Sequence, residues 1–529
     1  MGRCLIRQSR LTLVPVVTAA GLALLASGCS SGQPGLPPST TTTFAGAAAP
    51  SGSWAYPNGD LSNTRDAVGS TISSANVSKL REAWTFKIAG TAAKGVEDAG
   101  SFAANPVVVN GVVYIQDLDA NVYAVSLATG RLKWEYQVNI PEKSGPGPDG
   151  VAVAGGVVYG DTSTSVFALK ATTGSVLWND TSLLNSGQGS FEIQPQVTGG
   201  RVYLASAYGN GPGGGILLAL NAATGKELWS FNTLIGGEPK GVSALGVGAG
   251  GAWETPLVGT DGAVTFGIGN PYQSIGSAIS TPARALYTNS VLSLNAVTGR
   301  LRWYDQAAPN DFVDHDMQAS PIAATVDGVP VIIGGGKLGY VYAMNAATGT
   351  VLWKTPVGVH NGHDNDALLL LEHKLSIKLP YTIEPGGFGG VLTDMAVADG
   401  SVYLTTIDEP VTFTSMSIAD GIPVDKPNTG EIEALSLATG NVEWDTKVPE
   451  WALGAATVSN DLVITTLYDG ELIALNRQTG AIVYTAKLPT STNAPIAVAG
   501  NFVIIPDGAP YTTKKGAPGP AQLIAYTVS

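Results

Sequence analysis

The densest chemistry in the chain is Asn310-Asp311-Phe312-Val313-Asp314-His315-Asp316. From Asp311 to Asp316 it packs three carboxylates and a histidine into six residues of a sequence that is only 13% charged. A buried carboxylate beside a metal ion can serve as a base, although a cation-stabilised or merely solvated loop would have the same composition. Upstream stand Ala252-Trp253-Glu254-Thr255-Pro256 and Gly267-Ile268-Gly269-Asn270-Pro271. Trp253 offers either a flat platform or ordinary packing, and Asn270 before a proline suits a turn as readily as a metal. Downstream, Gly336-Lys337-Leu338-Gly339-Tyr340 sets a cation at a hairpin signal. A further stretch runs from Val357 to Asp366 and contains His360, His363, Asp364 and Asp366. These types can bind a transition metal or hydrogen-bond one another. The glycine run Pro385-Gly386-Gly387-Phe388-Gly389-Gly390 lacks the strand-Lys-helix setting of a phosphate loop.

Bulk properties narrow the partners. The formal charge is −13, and near −16 once Arg3, Arg7 and Arg10 are removed with a leader. A field of that sign repels phosphate backbones, so no nucleic-acid partner is expected. The basic start, the apolar Leu11 to Leu25 and the small residues Ala26-Ser27-Gly28 before Cys29 read as a signal peptide over 1–28. This stretch resembles a bacterial lipobox, with Ala26 where Leu is preferred. The resemblance implies lipidation of Cys29 and a membrane tether on the extracytoplasmic face. Cys4 leaves with the leader, so neither a disulfide nor a zinc cluster is expected, and no c-type haem motif is present. Residues 29–53 are Ser, Thr, Pro and Ala rich, a composition that cannot bury a core and predicts a disordered tether. The apolar run Ala367 to Leu371 is too short to span a membrane.

The elements that must position these residues repeat. An apolar strand, a Thr-Gly turn and a returning aromatic recur seven times, with turns at Gly130, Gly174, Gly225, Gly299, Gly349, Gly440 and Gly480. Their aromatic ends are Trp134, Trp178, Trp229, Trp303, Trp353, Trp444 and Tyr484. Each copy is a β-hairpin, because glycine supplies the positive φ of the turn and a small Ala leaves room for the returning ring. An eighth copy is split between the Trp84 segment and Gln522 to Val528. Pairing these ends would close a ring and remove the free sheet edge. The expected fold is all-β, an eight-bladed β-propeller over 54–529. The aromatic ends stand 40 to 51 residues apart except for two intervals of 74 and 91 residues, which predict loop insertions where sites gather.

The repeat resembles the tryptophan-docking motif of the quinoprotein alcohol dehydrogenase superfamily over essentially all of Trp54 to Ser529. Asn76-Val77-Ser78-Lys79-Leu80-Arg81-Glu82-Ala83-Trp84 also resembles the start of that family. The resemblance implies pyrroloquinoline quinone (PQQ) on the axis, chelating Ca²⁺. Trp253 matches the stacking tryptophan, Asn270 the metal-binding asparagine, Asp314 the catalytic base and Lys337 the cation beside the quinone oxygens. Asp314, beside the ion, joins the metal set. Val313 stands where the family has Trp, and Asn210 where it has a metal-binding Glu. The vicinal Cys pair and the Arg after it find no match. The expected function is an extracytoplasmic, lipid-anchored PQQ-dependent dehydrogenase that oxidises an alcohol or polyol and hands electrons to a separate acceptor. The alternatives are a non-catalytic envelope-assembly scaffold on the same propeller, or a lipoprotein that binds sugars or polymers.

Overall fold

The computed structural model describes residues 51–88, 101–138, 149–185, 187–207, 214–234, 250–424, 426, 429–508 and 521–528. These form an all-β, propeller-like array of antiparallel sheets, most of them built from strands consecutive in the chain. The first sheet sets the pattern with Val107–Val109, Val112–Gln116, Val122–Ser126 and Leu132–Tyr136. Sheets two to seven repeat it, and the third gains the short strand Ser190–Phe191. The eighth takes three strands from the C-terminal part, and Arg81–Lys87 completes it by pairing with Gln522–Thr527. A separate three-stranded sheet (Tyr381–Ile383, Val411–Phe413 and Ile422–Pro423) and helix Asp366–Leu371 lie in or beside the longer insertion. No helix among the described residues is long and apolar enough to cross a membrane.

The repeated phrase has a definite geometry. In the first sheet Ala124 pairs with Trp134, and the register shifts immediately after that pair. Corresponding Ala–Trp pairs occur at Ala168/Trp178, Ala219/Trp229, Ala343/Trp353 and Ala434/Trp444, each with the same shift. The ring then leaves its own sheet. The Trp84 indole N–H donates to the Leu127 carbonyl at 2.7 Å, Trp134 to Ala171 at 2.8 Å and Trp178 to Ala222 at 3.0 Å. Trp229, Trp303, Trp353 and Trp444 bond the next sheet in the same way. In the last copy the Tyr484 hydroxyl donates to the Leu80 carbonyl at 3.1 Å.

Each indole also covers the turn glycine of the sheet it reaches. A methyl added at Gly130, Gly174, Gly225, Gly299, Gly349, Gly440 or Gly480 would stand 2.5–2.7 Å from the neighbouring tryptophan ring. The turn glycine therefore meets two demands, a left-handed φ and a bare face for the ring.

The segment before the first sheet ties the inner strands together. Trp54 exchanges backbone bonds with Val108, Ala323 N donates to Ser62 O, Val397 N to Thr64 O and Ala67 N to Val458 O. Arg65 is fully buried here. Its guanidinium donates to Asn58 and Asn105, to Thr457 Oγ1 at 2.7 Å and to the carbonyls of Ala456 and Ile496 at 2.8 and 2.9 Å. One side chain thus joins the first, seventh and eighth sheets.

Two glycines separate the two demands on the turn. Gly328, at φ +79°, has nothing within 4 Å of an added methyl, whereas Gly299, at φ +67°, faces Trp229. Gly328→Ala is expected to cost about 1 kcal/mol for the left-handed backbone alone. Gly299→Ala is expected to cost about 3 kcal/mol, because the ring must also be displaced. Denaturant unfolding of the two variants checks this, and equal losses would refute the docking role of the turn glycine.

Candidate functional site

In an antiparallel sheet the end of each second strand and the start of each first strand share one edge. The candidate residues are gathered at that edge. Asn270 follows strand Ala263–Gly267, Lys337 follows Val329–Gly336, and Trp253 precedes Leu257–Val258. Asp314 and Asp316 lie between Leu301–Gln306 and Ile322–Val326. Bare glycines let this loop approach the strand ends, since a methyl on Gly336 would collide with the Asp316 carbonyl and one on Gly267 with that of Met317.

Asn270, Asp314, Asp316 and Lys337 form a closed cycle. Asn270 Nδ2 donates to Asp314 Oδ1 at 2.6 Å, and Lys337 Nζ reaches Asp314 Oδ2 at 2.7 Å. The same ammonium stands 2.6 Å from Asp316 Oδ2, and the Asn270 backbone N–H donates to Asp316 Oδ1 at 2.6 Å. Asn270, Asp316 and Lys337 are buried. Trp253 lies against this patch: a methyl on Gly269 would be 2.8 Å from its ring and 3.1 Å from Asp316 Oδ1. One atom stands out, because buried Asn270 Oδ1 has no hydrogen-bond partner among the described residues.

The cycle holds two carboxylates against one ammonium. Burial pushes the Asp314 carboxyl well above its usual range and the Asp316 charge adds to this, while Lys337 opposes both. Burial also raises Asp316, again against Lys337. Burial alone would lower Lys337, but Asp314 and Asp316 outweigh it and hold the ammonium charged. Asp314 is thus a stronger proton acceptor than an ordinary carboxylate. Its backbone is left-handed, at φ +77°.

Asp311 supports the loop by accepting the Val313 amide at 3.1 Å, the His315 amide at 2.9 Å and Asn289 Nδ2 at 3.2 Å. The histidines of the second insertion are occupied locally. His360 Nδ1 meets Asp364 at 2.6 Å and its Nε2 meets the carbonyls of Gly339 and Val357. His363 meets Asp366 at 2.9 Å and the Tyr381 hydroxyl at 2.7 Å. Among the described residues no three His, Cys, Asp or Glu side chains are grouped to hold a metal. Asn210 and Cys29 lie outside the described residues.

Sequence reasoning left Asp316 without a role and overlooked a second acidic group. Asp149, Asp161 and Glu192 are buried, and each has an oxygen without a hydrogen-bond partner among the described residues. Burial first, then Asp161 and Glu192, raise Asp149; burial and Glu192 raise Asp161. Burial lifts Glu192 to about 8. The three residues are spread over 44 positions of the chain, so no local motif announces them.

The family model "Glucose/ethanol/alcohol dehydrogenase, beta-propeller domain" matches residues 54–154 and 197–357. A second, "Outer membrane protein assembly factor BamB", matches 139–244 and 428–515. The chain is 28% identical over 268 residues to the quinoprotein alcohol dehydrogenase PedH of Pseudomonas putida, a match covering 46% of this chain and 44% of that one. The matched region therefore spans less than half the length of that curated relative. To the quinohemoprotein alcohol dehydrogenase of Comamonas testosteroni it is 24% identical over 521 residues, covering 86% and 71%. The crystal structure from the same organism superposes with a TM-score of 0.76 at 21% identity, over 91% of this chain and 81% of that one. BamB from Moraxella catarrhalis gives 0.51 at 14% identity, over 85% and 97%. These structural likenesses concern the fold.

The raised acid Glu192 gives a pH test. Its folded-state pKa lies above the ordinary value of 4.5, so the stability owed to its neutral form is fully present below pH 4.5 and is lost as pH rises through about 8. Glu192→Gln, neutral throughout, should gain on the wild type across that window by up to about 1.4 kcal/mol per pH unit. Urea unfolding at pH 4.5 and pH 8 reads the difference. A gap that does not change with pH refutes the assignment.

Proposed function

The chain belongs to the quinoprotein alcohol dehydrogenase-like β-propeller superfamily, and from that premise we propose that it is a PQQ-dependent dehydrogenase acting on an alcohol or polyol. In this reading the sheets are eight blades of a closed ring over 54–529. Residues 1–28 are a lipoprotein signal, 29–53 a tether, and Cys29 an acyl anchor on the extracytoplasmic face. The observation that carries the reading is the buried, unpartnered Asn270 Oδ1 beside the Asp314–Lys337 pair.

The residues fit the group in question. A hard oxygen with no donor suits Ca²⁺, with the Asp314 carboxylate as a second ligand and Asn210 as a candidate third. An amide at 210 brings no negative charge, so weaker ion affinity is expected than with a carboxylate there. Trp253 would supply the flat face beneath the cofactor and Lys337 a cation beside its oxygens. When bound, PQQ with its ion supplies an electrophilic carbon that accepts hydride. Asp314 takes the substrate hydroxyl proton, a role matched to its raised pKa. Lys337 spans both carboxylates and keeps a positive charge in place throughout. Electrons leave to a separate acceptor.

A second reading, a non-catalytic scaffold in envelope assembly, is favoured by the match of residues 139–244 and 428–515 to the BamB model. Titration of the purified protein with PQQ and Ca²⁺, followed by tryptophan quenching, separates the two. Saturable binding that weakens about tenfold or more in Asn270→Ala supports the enzyme. No binding at high micromolar PQQ supports the scaffold. Asp314→Asn should keep PQQ bound and lose at least about 10²-fold in rate, and an unchanged rate would refute its role as base.

A further inference from the structure

The glycine run of the second insertion has no part in the chemistry proposed above, yet it lies on the reacting pair. Residues 385–390 form a tight turn in which Gly389 N donates to Gly386 O at 2.9 Å and Gly386 N to Glu409 O at 2.6 Å. A methyl on Gly387 would stand 2.8 Å from the Val313 carbonyl and 3.0 Å from Asp314 Cβ. One on Gly390, at φ +68°, would collide with the Lys337 carbonyl. The Lys337 ammonium is 5.8 Å from the centroid of the Phe388 ring, which is half exposed. The turn is thus a thin cover with bare backbone against Asp314 and Lys337 and an aromatic ring over the ammonium.

One side chain fastens this cover to the Asp314 loop. His315 Nε2 stands 2.9 Å from the Pro385 carbonyl. A carbonyl only accepts, so Nε2 carries the hydrogen. The histidine is itself fixed: its amide donates to Asp311, its carbonyl accepts from Asn289 Nδ2 at 2.8 Å, and its ring is buried. Asp314 beside it holds a left-handed φ, which is strained for a non-glycine residue and persists only where its surroundings enforce it.

We infer that His315 is the positioning residue of this site: it clamps the 385–390 turn over the Asp314–Lys337 pair, which holds the strained Asp314 backbone and shields the Lys337 ammonium from water. The consequence for catalysis rests on the reading of Asp314 and Lys337 as reacting groups. The clamp itself does not.

The test uses the full chain and needs neither cofactor nor substrate. Lysines are acylated with acetic anhydride, and the rate at Lys337 is read by peptide mass relative to exposed Lys374. In His315→Ala, Lys337 should be modified at least tenfold faster while Lys354 is unchanged. In His315→Gln, whose amide N–H can reach the same carbonyl, the rate should stay near wild type. An unchanged Lys337 rate in His315→Ala overturns the clamp, as does faster modification of every lysine in step with a lowered Tm. If His315→Ala fails to fold, Gly387→Ala wedges the turn off Asp314 with the histidine intact, and the same selective exposure of Lys337 is expected. A parallel PQQ titration keeps the two claims apart. Weaker binding in His315→Ala that is restored in His315→Gln supports both. Absence of PQQ binding in the wild type sinks the enzyme reading and leaves the clamp to be judged by the acylation rates.

Discussion

The contact between an indole ring and a bare glycine sets the spacing of everything else. Each sheet is twisted and apolar on both faces, and two such sheets can slide unless something fixes their separation. The returning tryptophan does so in two ways, since its ring occupies the space where a Cβ would be and its N–H is bonded to a carbonyl beside that glycine. A ring stacked flat tolerates little displacement, and the directional bond removes the remaining freedom. Because the device recurs from sheet to sheet, strand ends from different sheets arrive at one edge in fixed relative positions. Asn270 and Lys337 come from adjacent sheets, and the loop between those sheets brings Asp314 and Asp316 to meet both.

The site also shows how a buried charge group can be built from loops without a cost that unfolds the protein. Two carboxyl groups and one ammonium share a cycle in which each carboxyl oxygen touches the ammonium or a polar hydrogen. Removing Lys337 alone would strand two carboxylates in a low-dielectric interior, which is far more damaging than removing the whole group. Asp149, Asp161 and Glu192 meet the same problem differently. They lack a cation among their causes of shift, and their carboxyls rise toward neutrality instead.

Much of this was legible in the sequence, and for a physical reason. The Thr-Gly turn and the aromatic end satisfy local rules of backbone geometry and packing, so they recur at readable intervals, and the two long intervals marked the insertions that carry or cover the site. Asp314, Asn270 and Lys337 are candidates because the family resemblance picks each out of a short motif, and the structure brings the three together. Asp316 received no role, since whether a carboxylate two residues on points inward depends on Ile268 and Gly335, which hold the loop's backbone. Arg65 was invisible for a stronger reason: its acceptors at Ala456, Thr457 and Ile496 lie some four hundred residues away. The glycine run was read only for what it could not be, a phosphate loop. Its use as bare backbone against Asp314 and Lys337 shows only when the insertion is seen folded.

The segment from Trp54 to Ala67 has a consequence for the order of assembly. Its hydrogen-bond partners belong to the first, fifth, sixth, seventh and eighth sheets, and Arg81–Lys87 must wait for Gln522–Thr527. A chain that emerges from the ribosome N-terminus first therefore holds this segment and that strand incompletely paired until the later sheets have been made. Contacts of such sequence separation are slow to form and expose sheet edges meanwhile. A truncation that removes the eighth sheet would leave the opening strand without its partner and take from the buried arginine one acceptor, the Ile496 carbonyl. The early segment is thus ordered only as the later sheets form, so the array matures as a whole and not sheet by sheet.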